Sequence, residues 1–419
     1  MHTLKRRDFI TGSALALGAS LVTSRLSFAR TNSDTSARFV FIILRGALDG
    51  LAAAPPYGDR DYESLRRELA LKAPGSPGAA LPLNGLVGLH PSLEFLEESY
   101  RAQELVVFHA VASPYRERSH FDGQDVLENG NVRPHAVQSG WLNRALAAMP
   151  AARSAGVKEV GVALGQNIPL VMRGPAAVTS WSPSKLAALD DDTLQRIADL
   201  YASDPLLAKR LAEATAADAI ASAALASDEQ MTMSDEDPTL LAKRGKAGAR
   251  YMEVVNAAAG FIKREDGPRV AVFDTTGWDT HANEGGAEGQ LSGRLKALDA
   301  GIRTLKEQLG PAWKDTIVVL ATEFGRTAAI NGTRGTDHGT AAAAFMVGGA
   351  VKGGKVVADW PGLSARALYQ GRDLQPTLDL RSVLKGVLEE HLQVPERALE
   401  TDVFPDSAAA KALHGLVRS

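Results

Sequence analysis

The sequence predicts an α/β protein built on a mostly parallel central sheet. The runs RFVFIIL (Arg38 to Leu44), VAVF (Val270 to Phe273) and TIVVL (Thr316 to Leu320) are apolar on both faces, as strands covered by helices on either side must be. An amphipathic stretch from about Gln290 to Leu309 joins the last two and reads as the crossover helix of a parallel pair. Polar residues crowd just past each run, where open α/β sheets bind their ligands.

The chain of 419 residues is 45% hydrophobic and 23% charged, ordinary for a globular protein that buries a large core. The first 29 residues stand apart. Lys5-Arg6-Arg7-Asp8-Phe9-Ile10 precedes a short apolar stretch, Thr11 to Val22, and then Ser27-Phe28-Ala29, the pattern of a twin-arginine signal cleaved after Ala29. The apolar stretch is too short and too rich in Gly, Ser and Ala to span a membrane, so the mature form is expected without a span, in the periplasm or outside the cell. The twin-arginine translocase is its expected partner during export.

Loss of that segment leaves 42 of the 46 basic and 48 of the 49 acidic residues, a net charge of −6, which argues against nucleic acid as a partner. Zero cysteines exclude disulfides, thiolate metal sites and cysteine nucleophiles together. No strand is followed by GxGxxG and no GxxxxGK[ST] occurs, so a dinucleotide-binding oxidoreductase and a P-loop enzyme have no support.

After a polar linker, residues 30–36, the first strand ends in Arg45-Gly46-Ala47-Leu48-Asp49-Gly50, a turn that can present Asp49 at the strand's carboxyl end. An Asp before Gly is also a common turn residue. The Pro-, Gly- and Ala-rich stretch from Pro55 to Gly88 reads as an excursion, and a helix follows from Leu93 to Tyr100, with Ser92 as a possible cap. A second strand, Leu105 to Ala110, leads through Ser113 to Ser119 into a helix from Asp122 to Glu128 that ends at Gly130. Ser119 therefore lies near a helix amino end, where an anion is favoured and a nucleophile would be assisted; a plain helix cap fits the same position.

Gly140 to Arg144 starts another helix, and Val157 to Leu164 reads as a strand. Residues about 184–265 form a helical insertion: Leu186 to Leu225, interrupted at Asp204-Pro205, then a break at Asp235 to Pro238, then Leu240 to Lys263. The remainder reads as one domain with it, residues 37–419. Ala341 to Val347 is a further buried strand, Val351 to Leu363 a hairpin or edge element, and Leu380 to Leu392 a helix with Asp379 near its start.

Asp279 and His281 are two residues apart, on the same side of an extended segment. With Glu323 and His338 beside neighbouring strands, and with no thiolate, this donor set suits zinc, manganese or a similar divalent ion, one or two in number. Asp337 is a further candidate ligand. Arg45, Arg118 and Arg326 offer bidentate forks for a tetrahedral oxyanion, and each would equally serve an ordinary ion pair.

The motifs LRGALDG, RSHFD, GWLNR, GWDTHANEG, ATEFGRT and GTDHG occur in this order across nearly the whole chain after residue 29. In this the chain resembles the bacterial family catalogued as domain of unknown function 1501, which is itself similar to the alkaline-phosphatase-like superfamily of phosphatases and sulfatases. The resemblance implies a three-layer α/β/α sandwich. It also implies Ser119 in the nucleophile position, with Asp49, Ser119 and Glu323 around one metal and Asp279, His281 and His338 around another. Glu323 stands where the superfamily carries an Asp-His pair, and Phe324 stands in place of that histidine, so the metal there lacks an imidazole unless Asp337, His120 or another residue completes its shell. The expected function is hydrolysis of phosphate or sulfate esters on a small anionic ester or glycan. The alternative is a non-catalytic envelope protein that binds an anionic glycan or a protein partner on the same fold.

Overall fold

The structure, a computed structural model, describes residues 36–150, 157, 159–183, 191–201, 203–232 and 245–418. The expected signal and all but the last residue of the expected linker lie outside the described residues, as do residues 184–190 and 233–244 of the helical insertion, with the expected break at Asp235 to Pro238.

Strand β1 (Arg38–Arg45) leads to short helices α1 (Gly50–Ala53) and α2 (Tyr62–Arg66) and to an antiparallel pair, β2 (Leu81–Pro82) with β3 (Gly88–Leu89). Helix α3 (Glu94–Arg101), β4 (Leu105–Ala112), α4 (His120–Asn129), α5 (Trp141–Ala148), β5 (Gly161–Leu164) and β6 (Val178–Trp181) follow. The helical insertion supplies α6 (Asp191–Tyr201), α7 (Pro205–Thr232) and α8 (Gly245–Ile262). The chain then returns to the sheet through β7 (Val270–Thr276), α9 (Gln290–Leu309), β8 (Thr316–Ala321), β9 (Ala342–Val347), β10 (Lys355–Val357) and β11 (Leu378–Asp379), and α10 (Leu380–Leu392) follows.

These strands make one nine-stranded sheet in the order β10-β4-β9-β8-β1-β7-β5-β6, with β11 also paired to β4. β1 is parallel to β7 and β8 on either side, as the doubly apolar runs require. Among the described residues of this sheet only β9 runs against its neighbours, antiparallel to both β8 and β4. Its reversal has a functional consequence, because the residues that precede β9 stand at the same sheet end as the residues that follow β1, β7 and β8.

Alternate residues of β1 enter opposite layers. Val40, Ile42 and Leu44 join one core cluster with α3, α8 and α9; Phe39, Phe41 and Ile43 join another with α5 and α10. The protein is thus an α/β/α sandwich, and each fully buried Phe, Ile or Leu of β1 contributes roughly 1.5–3 kcal/mol of burial. Helix α9 shows why it forms: Leu291, Leu295, Leu298, Ile302, Leu305 and Leu309 recur at steps of three and four and are all buried. In the helical insertion, Asp204 caps α7, its side chain accepting from the amides of Leu206 (2.9 Å) and Leu207 (3.1 Å), just where the sequence breaks at Asp204-Pro205.

Several expectations shift. Within the stretch Val157 to Leu164 only Gly161–Leu164 is a strand. The stretch from Val351 holds no hairpin among the described residues, but a single parallel edge strand, β10 on β4. Ser92 does not cap α3; the Asp299 carboxylate of α9 reaches across to the amides of Phe95 (2.9 Å) and Leu96 (3.0 Å). Helix α4 starts at His120, earlier than expected, with Ser119 at its N-cap. No helix among the described residues is long and apolar enough to cross a membrane.

Candidate metal centre

The crowded polar segments meet at the carboxyl end of the sheet. The loop after β7 carries Asp279 and His281, the loop before β9 carries His338, and the first residue of α4 is His120. Two close approaches hold these loops. Gly46 has φ +117°, and a Cβ on it would lie 2.8 Å from the Asp279 amide. A Cβ on Gly335 would lie 2.4 Å from the backbone carbon of His281. Neither position has room for a side chain.

Ligand atoms of His120, Asp279 and His338 all lie within 4.8 Å of one another. His281 stands beside this group, its Nε2 3.0 Å from Asp279 Oδ1 and 3.0 Å from His338 Nε2. His338 Nε2 is 3.3 Å from Asp279 Oδ1. His120 Nε2 lies 3.4 Å from Asp279 Oδ2 yet has no hydrogen-bond partner, although it is shielded from water.

The far side of each imidazole explains the near side. His120 Nδ1 is 2.8 Å from Glu323 Oε1, His281 Nδ1 is 3.2 Å from Asp337 Oδ1, and His338 Nδ1 is 3.0 Å from the Arg118 carbonyl oxygen. A carbonyl can only accept, and both carboxyls are held below their ordinary pKa. For Glu323, burial acts the other way but is outweighed by bonds from His120, Gln124 and Gly46; for Asp337, the bonds from Asn331 and His281 outweigh its burial. Each Nδ1 therefore donates to its acceptor, which leaves the Nε2 atoms to face Asp279 and one another. Imidazoles fixed by an acceptor behind them are the usual construction of a metal site. The donor set of three nitrogens and a carboxylate fits zinc or manganese.

Charge is balanced from behind. Burial would raise the Asp279 carboxyl, but the hydrogen bond and charge of Arg326, whose NH1 is 2.6 Å from Oδ1, hold it below the ordinary range. Glu323 raises the His120 pKa through its hydrogen bond, against burial. Burial lowers that of His338, and repulsion from His120 and Arg326 lowers it further.

Of the residues expected from the sequence, Asp279, His281 and His338 come together. Glu323 and Asp337 stand one layer back as hydrogen-bond acceptors of the ligand imidazoles, with Glu323 fully buried and also accepting from Gly46 N (2.9 Å), Gln124 Nε2 (3.1 Å) and Thr322 Oγ1 (2.9 Å). Asp49 is elsewhere: it is 1% exposed, its Oδ1 caps α1 through the amides of Leu51 and Ala52, and its Oδ2 is paired with Arg66. The expected metal set of Asp49, Ser119 and Glu323 is therefore not assembled, because Arg66 and His120 already occupy its two carboxylates. Arg66 also lies 3.6 Å from Glu284, which accepts from Thr280 (2.9 Å) and Thr336 (2.8 Å).

The three arginines do not form an open fork here. Arg326 is buried and spends its donors on Asp279 and Thr336. Arg118 turns its guanidinium to Asp373 and Gln370, and Arg45 turns to Glu128, Asp274 and Gln124. Ser119 is half-buried beside His120, and its hydroxyl makes no hydrogen bond among the described residues. His120 was legible as a residue that could complete the shell where Phe324 replaces the superfamily's histidine, and it lies in the cluster. Arg66 and Glu284 gave no chemical signal, since neither stands in a ligand-like spacing.

Fold and site together define an α/β/α protein with a His/Asp cluster that could hold a metal ion at the carboxyl end of its sheet. The chain belongs to the family described as protein of unknown function (DUF1501), whose model matches residues 108–402. No curated protein matches it in sequence. Among solved structures, that of Ps i-CgsB in complex with k-i-k-neocarrahexaose is similar over 90% of this chain and 77% of that one, at 11% identity and a TM-score of 0.39. A second Ps i-CgsB structure gives the same coverage and identity with a TM-score of 0.37. Likeness this distant carries no functional weight.

Proposed function

We propose that the chain is an exported hydrolase of phosphate or sulfate esters that depends on one divalent ion, zinc or manganese, held by His120, Asp279, His281 and His338. The observation that carries this reading is the three imidazoles, each held at Nδ1 by an acceptor and each turning Nε2 inward beside Asp279. Export rests on the twin-arginine pattern of the first 29 residues. The ester class rests on the ordered motifs and their resemblance to the alkaline-phosphatase-like superfamily.

A divalent ion bound there supplies concentrated positive charge to an anionic ester. The chain's own groups do the rest. Arg326 keeps Asp279 ionised and fixed in direction, and Glu323 and Asp337 set the tautomers of His120 and His281. Ser119 stands at the amino end of a ten-residue helix, where the aligned peptide dipoles favour negative charge on an oxygen. Its hydroxyl is the candidate nucleophile.

The unbonded Ser119 hydroxyl and the committed Arg45 and Arg118 favour a second reading, a protein that holds an anionic glycan without turnover. Metal analysis of protein purified without chelator, with a screen of aryl phosphates and sulfates, separates the two. The hydrolase requires about one ion per chain and turnover that His281→Ala abolishes. Stoichiometric metal without turnover on either ester class selects the binder, and a chain that takes up no divalent ion refutes the centre itself.

A further inference from the structure

Beside the metal centre, at the carboxyl ends of β1, β5 and β7, the protein carries a second concavity of about 710 Å³ that the reading above does not use. Its volume lies in the range of pockets that take a whole organic ligand, well beyond what a lone inorganic anion needs. A relay of hydrogen bonds links it to the centre. Arg45 lines it and donates to Gln124 (3.0 Å), Gln124 donates to Glu323 (3.1 Å), and Glu323 holds His120. Thr276, on the cleft wall, precedes Asp279 by three residues, a reach of at most ~11 Å even when fully extended.

Several donors in this cleft are unspent. The Arg250 guanidinium and the side-chain amides of Gln166 and Asn167 make no hydrogen bond or ion pair among the described residues, and all three line the cleft. Arg173, also in the wall, uses only its Nε, on the Ile168 carbonyl at 2.8 Å. Arg45 differs, since Glu128 and Asp274 neutralise it. The Arg250 guanidinium and the unspent terminal nitrogens of Arg173, on a chain of net negative charge, are placed to recognise an anion. Free amides recognise hydroxyl groups, and Pro169 and the Tyr251 ring add an apolar wall against which a sugar ring packs.

We propose that this cleft is a subsite for an acidic sugar unit, sulfated or carboxylated, of an oligosaccharide whose ester group lies at the metal centre. The assignment to a substrate rests on the hydrolase reading, whereas sugar binding by the cleft does not. The test is calorimetric titration of the metal-loaded full chain with a chondroitin sulfate tetrasaccharide, with tetragalacturonate and with uncharged maltotetraose. Wild type is expected to bind at least one acidic tetrasaccharide and not maltotetraose. The double variant Arg173→Ala/Arg250→Ala should bind it at least ten-fold more weakly, while Arg173→Lys/Arg250→Lys recovers part of the loss and shows that the fold is intact. On a small aryl ester, kcat and KM of the double variant should stay within two-fold of wild type. Equal binding by the double variant, equal binding of maltotetraose, or no binding of either acidic probe overturns the subsite. Absent aryl-ester turnover with arginine-dependent sugar binding overturns only the hydrolase reading and leaves the cleft as a glycan site.

Discussion

Two polar clusters form at the same end of the sheet and resolve their charge in opposite ways. In the buried one, Arg66 and the Asp49–Glu284 carboxyl pair close on each other with side-chain exposures of 0–1%. In the open one, Asp279 is 40% and His281 45% exposed, Arg326 holds only one side of Asp279, and the Nε2 atoms of His281 and His338 face each other at 3.0 Å. Thr336 lies between them, donating to Glu284 and accepting from Arg326, which holds Asp279. Both clusters begin from a carboxylate placed just past a buried strand. Each carboxylate has its buried arginine, Arg66 on Asp49 and Arg326 on Asp279; what separates structure from chemistry is that the second is left partly exposed with imidazoles around it.

Removing the resident cation should give the largest effect. Arg66→Met leaves Asp49 ionised and unpaired in the interior, which should cost about 3–5 kcal/mol in urea unfolding. An unchanged midpoint would mean that the pair does not hold the fold. His281→Ala attacks the open cluster and should leave stability within about 0.5 kcal/mol, as expected of an exposed side chain. Its metal affinity should fall by more than the ~10–100-fold typical of residues behind a ligand, read by competition with a chromogenic chelator. If unfolding and metal binding suffer equally in either variant, the distinction between the clusters fails.

Glu323→Gln tests the layer behind the ligands. It replaces the charged acceptor of the His120 Nδ1 proton, and metal affinity should weaken by ~10–100-fold with the ligand set intact. A loss as deep as that of His281→Ala would make Glu323 a ligand after all. The smallest change in stability at mildly acidic pH belongs to Glu284→Gln. Burial, reinforced by the Asp49 charge, pushes the Glu284 carboxyl up to about 8 from an ordinary 4.5. The folded state then keeps a proton that the unfolded chain releases, so this group's contribution to stability is complete at low pH and declines as pH rises from about 4.5 to about 8. Thermal melts of wild type should show that decline, and those of Glu284→Gln should show it flattened, with the two alike near pH 4.5.

The layers of the fold were legible because burial writes itself in simple periods. Doubly apolar runs gave β1, β7 and β8, and the three- and four-residue steps of α9 gave the crossover. The reversed direction of β9 left no such mark, since a fully buried strand reads the same either way. Asp279, His281 and His338 were legible because His and Asp at strand ends have few structural uses in common. Asp49 misled for a physical reason: an Asp that caps a helix and one that binds a metal have the same local sequence. The deciding partner, Arg66, lies on the excursion after β1, where sequence carries no periodic signal. The guanidinium directions of Arg45 and Arg118 depend on Glu128 and Asp373, contacts across 83 and 255 positions that no local pattern encodes.

The reversed β9 also governs when the centre comes into being. His120, Asp279 and His338 belong to stretches that meet only when β4, β7 and β9 have all docked, so the unfolded chain offers no preformed site. An ion that binds only the finished sheet draws the folding equilibrium toward it, by about 2.7 kcal/mol when free metal exceeds the dissociation constant 100-fold. A cation bound at this cluster would be a clasp as well as a reagent, and the supply of metal where the chain folds would set how firmly the sandwich is shut.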